Sequence, residues 1–149
     1  MSRIEYDADL LKDRTFYLSG PMSGIPAYNY PYFERVASKL RQLGLKIVSP
    51  HEIPVPPDDV IGNDAYEWYM QRCFEQIATC TDIILLWGWP ESPGANRELA
   101  ECVRRMFPVW YFDTNDEVTD YQLIWMSRIG AQGELDAEIE PEAEAPDGA

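Results

Sequence analysis

Three features of this sequence predict a single doubly wound α/β domain, with a parallel sheet of four to five strands and helices on both faces. Apolar, strand-like runs alternate with amphipathic helical stretches from Thr15 onward. Two of the runs lead straight into a glycine-containing loop and then a helix start: Tyr17-Leu18-Ser19-Gly20-Pro21-Met22-Ser23-Gly24, and the stretch that ends Gly88-Trp89-Pro90-Glu91-Ser92-Pro93-Gly94. The run Asp82-Ile83-Ile84-Leu85-Leu86-Trp87 is the most apolar, as a strand covered on both faces must be. In an open α/β sheet, two such loops at the carboxyl edge form the crevice where ligands bind. Free N–H groups at a helix start there favour an anion, most often a phosphate.

The elements follow in order. Thr15-Phe16-Tyr17-Leu18 reads as a buried strand. Asn29 and Pro31 suit the start of a first helix, as a cap and a residue pre-set for the first turn. Phe33, Val36, Ala37, Leu40 and Leu43 then form one apolar face, and Gly44 ends it. Leu45-Lys46-Ile47-Val48 is the second strand. A proline-rich loop with Pro54, Pro56 and Pro57 crosses the surface. Asn63 or Asp64 caps a second helix carrying Tyr66, Tyr69, Met70, Cys73, Phe74 and Ile77 at helical spacing. The third helix is expected from about Ala95 to Met106, and Pro108-Val109-Trp110-Tyr111-Phe112 is the fourth strand. Asn115 or Asp116 then caps a last helix with Tyr121, Ile124, Trp125 and Ile129. The order is flavodoxin- or Rossmann-like.

A chain of 149 residues, 46% of them apolar, fits one domain with a real core. The net charge of −14 is uneven: Glu134, Asp136, Glu138, Glu140, Glu142, Glu144 and Asp147 crowd one end without a base. Residues 1–133 are therefore expected to form the domain, and 134–149 an acidic, disordered, solubilising tail. The body is also acidic, which argues against binding a nucleic acid polymer, because that rests on Lys and Arg neutralising phosphates. No stretch is long enough to span a membrane. Met1-Ser2-Arg3-Ile4-Glu5 lacks the apolar run of a signal peptide, so a cytoplasmic protein is expected. Cys73, Cys80 and Cys102 read as reduced thiols. With His51 the single imidazole, neither a metal nor another cofactor is expected.

The first glycine-loop motif, the run from Cys80 to Glu101 (CTDIILLWGWPESPGANRELAE) and a strand beginning at Pro108 together resemble the nucleoside 2-deoxyribosyltransferase-like superfamily. They are most similar to its DUF4406-type branch, whose members read like YxxGPMTG and CDxxxxLPGWExSxGAxxE. The resemblance spans roughly Thr15 to Tyr111. It implies cleavage of the N-glycosidic bond of a nucleotide or nucleoside, by water or with transfer to a second base. It also implies a glutamate nucleophile on the sugar at Glu98 and a tyrosine bonded to it at Tyr17. The loop of Ser19, Gly20, Pro21, Met22, Ser23 and Gly24, with Ser92 and Gly94 at the helix start, matches the region that wraps a 5′-monophosphate in relatives acting on nucleotides. Relatives complete their pockets with a neighbouring subunit, so a homo-oligomer is expected. The aromatic run Trp110-Tyr111-Phe112 with Tyr121 and Trp125 offers surface for it.

The chemistry of these residue types is consistent with that reading. Breaking a C1′–N bond passes through an oxocarbenium-like sugar, which a carboxylate can stabilise or trap. Each residue also has a plainer explanation. Glu98 could simply complement a helix dipole from the first turn, Tyr17 could be a satisfied core tyrosine, and Ser92 could be a helix cap. Trp89, like Trp87, stands where it can stack on a base or pack as a lid. Members of the superfamily usually carry a second carboxylate before the third strand; here that position is Cys73 or Phe74. Asp82 begins its strand, a strand length of ~17 Å from the crevice, and reads as structural. His51 is therefore the candidate acid for the leaving base, with Asp64 and Glu67 behind it.

Overall fold

The computed structural model describes residues 3–4 and 11–127. Its strands are β1 (Arg3–Ile4), β2 (Thr15–Ser19), β3 (Lys46–Val48), β4 (Asp82–Leu85), β5 (Val109–Thr114) and β6 (Tyr121–Ser127). The helices are α1 (Tyr30–Gln42), α2 (Gly62–Ile77) and α3 (Pro93–Arg104). All six strands form one sheet in the order β1-β6-β5-β4-β2-β3. Every pairing is parallel except that of β5 with β6. The expected α/β class holds, with one more strand than the four to five predicted.

Alternation along the central strands explains the two layers. Phe16, Leu18 and Ile84 point to one face, where α1 brings Phe33, Val36, Ala37 and Leu40. Tyr17, Ile83 and Leu85 point to the other, against Cys73 and Ile77 of α2 and Leu99 and Cys102 of α3. Cutting a side chain such as Ile84 to alanine in this dry interior costs about 2–5 kcal/mol.

The chain leaves β2 for β3 on one side and later returns to place β4 on the other. The loops after β2 and β4 therefore diverge, and the crevice opens between them. Two glycines let these loops touch. A Cβ on Gly20 would lie 3.0 Å from the Leu86 Cβ, and one on Gly88, which sits at φ 88°, would lie 3.0 Å from the Pro21 Cγ.

Several boundaries differ from expectation. Gly44 ends α1 as predicted, at φ 96°, with the Leu45 N–H donating to the Leu40 carbonyl. Asn29 stands at the start of α1 in the left-handed region, but its side chain donates to the Pro21 carbonyl instead of capping the helix. The second helix starts from Ile61 in extended conformation, so Asn63 and Asp64 fall within its first turn. Ser92 caps α3 by accepting from the Ala95 N–H at 3.1 Å, so this helix begins two residues earlier than expected.

The predicted last helix is strand β6. Tyr121, Ile124 and Trp125 have helical spacing, but Tyr121, Leu123 and Trp125 have strand spacing, and a short apolar run cannot separate the two periods. What decides is the connection. Asn115 caps a tight turn, its Oδ1 accepting from the Thr119 N–H, and Val118 sits at φ 58°, so the chain doubles back along β5. Trp110 and Phe112, expected on an oligomer surface, are instead buried in the core of the α1 face. Ile129 and the 134–149 tail lie outside the described residues. None of the described helices is long and apolar enough to cross a membrane.

Candidate active site

Residues two apart on a strand share a face, so Tyr17 and Ser19 of β2 both point toward α3. Glu98 of α3 meets them. Tyr17 Oη donates to Glu98 Oε2 at 2.9 Å, and Ser19 Oγ donates to Oε1 at 2.6 Å. All three residues are buried, Glu98 being 5% exposed. Because α3 begins at Pro93, Glu98 sits in its second turn. It is thus an interior carboxylate and not a surface acid complementing the helix dipole. Burying a charge costs several kcal/mol unless it is paired or hydrogen-bonded, and the two hydroxyls offset part of that cost.

The electrostatics record the same competition. Burial raises the Glu98 carboxyl to about 6, while hydrogen bonds from Ser19, Tyr17 and Cys73 and the nearby Arg97 charge pull it back. Burial, with Glu98 close by, pushes the Tyr17 phenol and the Cys73 thiol upward. Both stay protonated, and the Tyr17 hydroxyl donates to the carboxylate. Cys73, one of the two residues the sequence offers at the position of a second carboxylate, is a buried thiol close to Glu98.

A pocket of about 550 Å³ opens beside Glu98. Gly20, Pro21, Met22 and Ser23 line one side, Tyr66, Tyr69 and Met70 of α2 another, and Glu91, Ser92, Pro93, Gly94 and Ala95 a third. The Tyr69 hydroxyl donates to the Pro50 carbonyl at 2.6 Å and rests 3.3 Å from the Met22 sulfur, which ties α2 to the loop. Among the described residues, the N–H groups of Met22, Ser23 and Gly94 have no partner. They are the amides available to an anion. Arg97 is engaged elsewhere: it bonds both Glu67 oxygens at 3.0 and 3.1 Å and lies over the Tyr66 ring.

The other residues singled out in the sequence fall around this pocket. Ser19 holds Glu98 from behind, and Gly24 is a left-handed turn residue outside the lining. Trp89 packs against the core of the α2–α3 face and does not line the pocket. Trp87 is 72% exposed beside a second cavity, on the α1 side of the Pro21 loop. His51 is bonded through Nδ1 to Ser49 at 2.6 Å, packs edge-on to Tyr30, and also lies outside the lining. Burial lowers its pKa, so it is a neutral imidazole at pH 7. Asp82 is held at the amino end of β4 by Arg14, Thr81 and the Trp110 indole, as a structural acid. Sequence reasoning read Tyr66, Tyr69 and Met70 only as residues at helical spacing on the second helix and left Glu91 without a role. The signal for the first three was two tyrosines one helical turn apart, upstream of Cys73. Among the described residues, no cluster of three or more His, Cys, Asp or Glu side chains could hold a metal ion.

Residues 14–111 match the model of a family described as a domain of unknown function, DUF4406. No curated protein matches the chain. Solved structures of similar fold include a 2-deoxyribosyltransferase from the psychrotolerant bacterium Bacillus psychrosaccharolyticus. That protein is 18% identical with a TM-score of 0.52, and the match covers 65% of this chain and 70% of the other.

Proposed function

The chain belongs to the DUF4406 family, and from that premise we propose that it cleaves the N-glycosidic bond of a nucleoside or nucleotide, with a 5′-monophosphate preferred. The observation that carries the reading is Glu98: a buried carboxylate held by Tyr17 and Ser19 and opening on a pocket at the carboxyl edge of the sheet. The likeness in fold to a 2-deoxyribosyltransferase supports it.

In this reading a Glu98 oxygen attacks C1′ as the base departs, and water or a second base then releases the sugar. Tyr17 and Ser19 fix the carboxylate, leaving the lone pair on the sugar side free to react. The phosphate is held by the amides of Met22, Ser23 and Gly94, because the pocket lining supplies no Lys or Arg among the described residues. The protein is proposed to work in the cytoplasm as a homo-oligomer; light scattering at micromolar concentration checks the latter. The test of function is chromatography of a nucleotide panel after incubation, with released free base as the expected result.

A second reading, a nucleotide-binding module without turnover, is favoured by the missing second carboxylate, at a position that holds Cys73 or Phe74 instead. Calorimetric binding of a monophosphate with no base released anywhere in the panel would select it.

A further inference from the structure

We propose that the substrate carries a base with a formal positive charge, such as a quaternised purine or a pyridinium, so that this pocket of two carboxylates, two tyrosines and two methionines releases it without a general acid. The proposal rests on the N-glycosidase reading and names the substrate class of the same site.

The first argument is the lining. Its charged side chains among the described residues are Glu91 and Glu98, and its larger neutral ones are Tyr66, Tyr69, Met22 and Met70. Carboxylates attract a cation, aromatic faces bind it through their quadrupole, and thioether sulfur packs well on flat rings. Arg97, the cation nearest the wall, is already neutralised by Glu67. Such a lining gives a neutral base little beyond stacking and a cationic base a favourable field.

The second argument is the bookkeeping of the bond. When C1′–N breaks, the electron pair goes to nitrogen. A neutral base then leaves as an anion unless a proton arrives, and general-acid help is worth about 10²–10⁴-fold. Here three of the hydroxyl protons around the pocket are committed. Those of Tyr17 and Ser19 are on Glu98, and that of Tyr69 is on the Pro50 carbonyl. With a cationic base the same electron pair cancels the positive charge, and the base departs neutral with no proton moved. The new Glu98–C1′ bond is then broken by water, whose oxygen joins C1′ and whose proton goes to solvent. The carboxylate is restored.

Matched pairs test this: 7-methylguanosine 5′-monophosphate against guanosine 5′-monophosphate, each with ribose and with 2′-deoxyribose, and nicotinamide mononucleotide as the pyridinium. Base release is followed by chromatography and corrected for the rate without protein. The expected kcat/KM for the cationic member exceeds that of its neutral twin by at least ~100-fold, the lower bound of what an acid would supply. Glu91→Gln should raise the KM of the cationic member relative to that of its neutral twin by roughly two- to fivefold, the scale of one exposed charge pair. A smaller ratio within the pairs, or an equal change in KM for both members in Glu91→Gln, overturns the cationic-base proposal and leaves the N-glycosidase reading standing. No base from any member overturns both.

Discussion

Tyr17 and Glu98 lie 81 positions apart in the chain and meet in the interior through a 2.9 Å hydrogen bond. One comes from the interior strand β2 and the other from α3, which packs over it, so the contact exists only in the folded sheet. Ser19 completes it at 2.6 Å on the second carboxylate oxygen. The reactive geometry proposed for this protein is thus fixed among residues buried between the sheet and a helix.

The first expected outcome concerns stability against pH. Burial raises the Glu98 carboxyl from 4.5 to about 6. The folded state therefore holds that proton more tightly than the unfolded state does. Its contribution is fully present below pH 4.5 and is lost as pH rises through 6, about 2 kcal/mol in all. Urea unfolding of wild type and Glu98→Gln across this window should converge at low pH, with the variant relatively more stable above pH 7. Parallel curves would mean that Glu98 is solvated.

Tyr17→Phe removes one donor from the carboxylate and raises its pKa further. The rate of base release should fall by roughly 10–100-fold, the scale of a hydrogen bond to a charged group. The rising limb of the pH–rate profile, near 6 in wild type, should move upward. A lower rate with an unmoved limb would separate Tyr17 from Glu98 ionisation.

Asp82→Ala should act on stability alone. It removes the acceptor for Arg14 and for the Trp110 indole at the amino end of β4, and loss of a buried hydrogen-bond acceptor of this kind costs about 1–3 kcal/mol. A thermal melt should show a clear drop, with turnover per folded molecule preserved at low temperature. Selective loss of turnover would contradict its structural role.

Ser92→Asp keeps a residue able to cap α3 but places a charge beside the proposed phosphate. Calorimetry should show weakened monophosphate binding and unchanged binding of the parent nucleoside. Equal loss for both would remove the monophosphate preference.

Much of this architecture could be read in the sequence because local and global signals agree. Phe16, Leu18 and Ile84 are apolar for a sheet covered on both faces, and Gly44 stops a helix whose apolar face runs from Phe33 to Leu40. The loops that meet at Gly20 and Gly88 were visible for the same reason. Strand β6 was not, since Tyr121, Leu123, Ile124 and Trp125 satisfy both periods and the deciding turn at Val118 puts a β-branched residue at positive φ, which no local rule anticipates. In the site, the Glu98 position followed from the motif. The pocket wall of Tyr66, Tyr69 and Met70 did not, because an aromatic stripe facing a cavity has the same spacing as one facing a core.

Glu98→Gln tests the central claim most directly, because it keeps the side chain's size and removes the charge needed at C1′. Base release and calorimetric binding of the same monophosphate are measured on wild type and variant. The account predicts at least ~100-fold slower release with binding little changed. Release at the wild-type rate from the variant would contradict it.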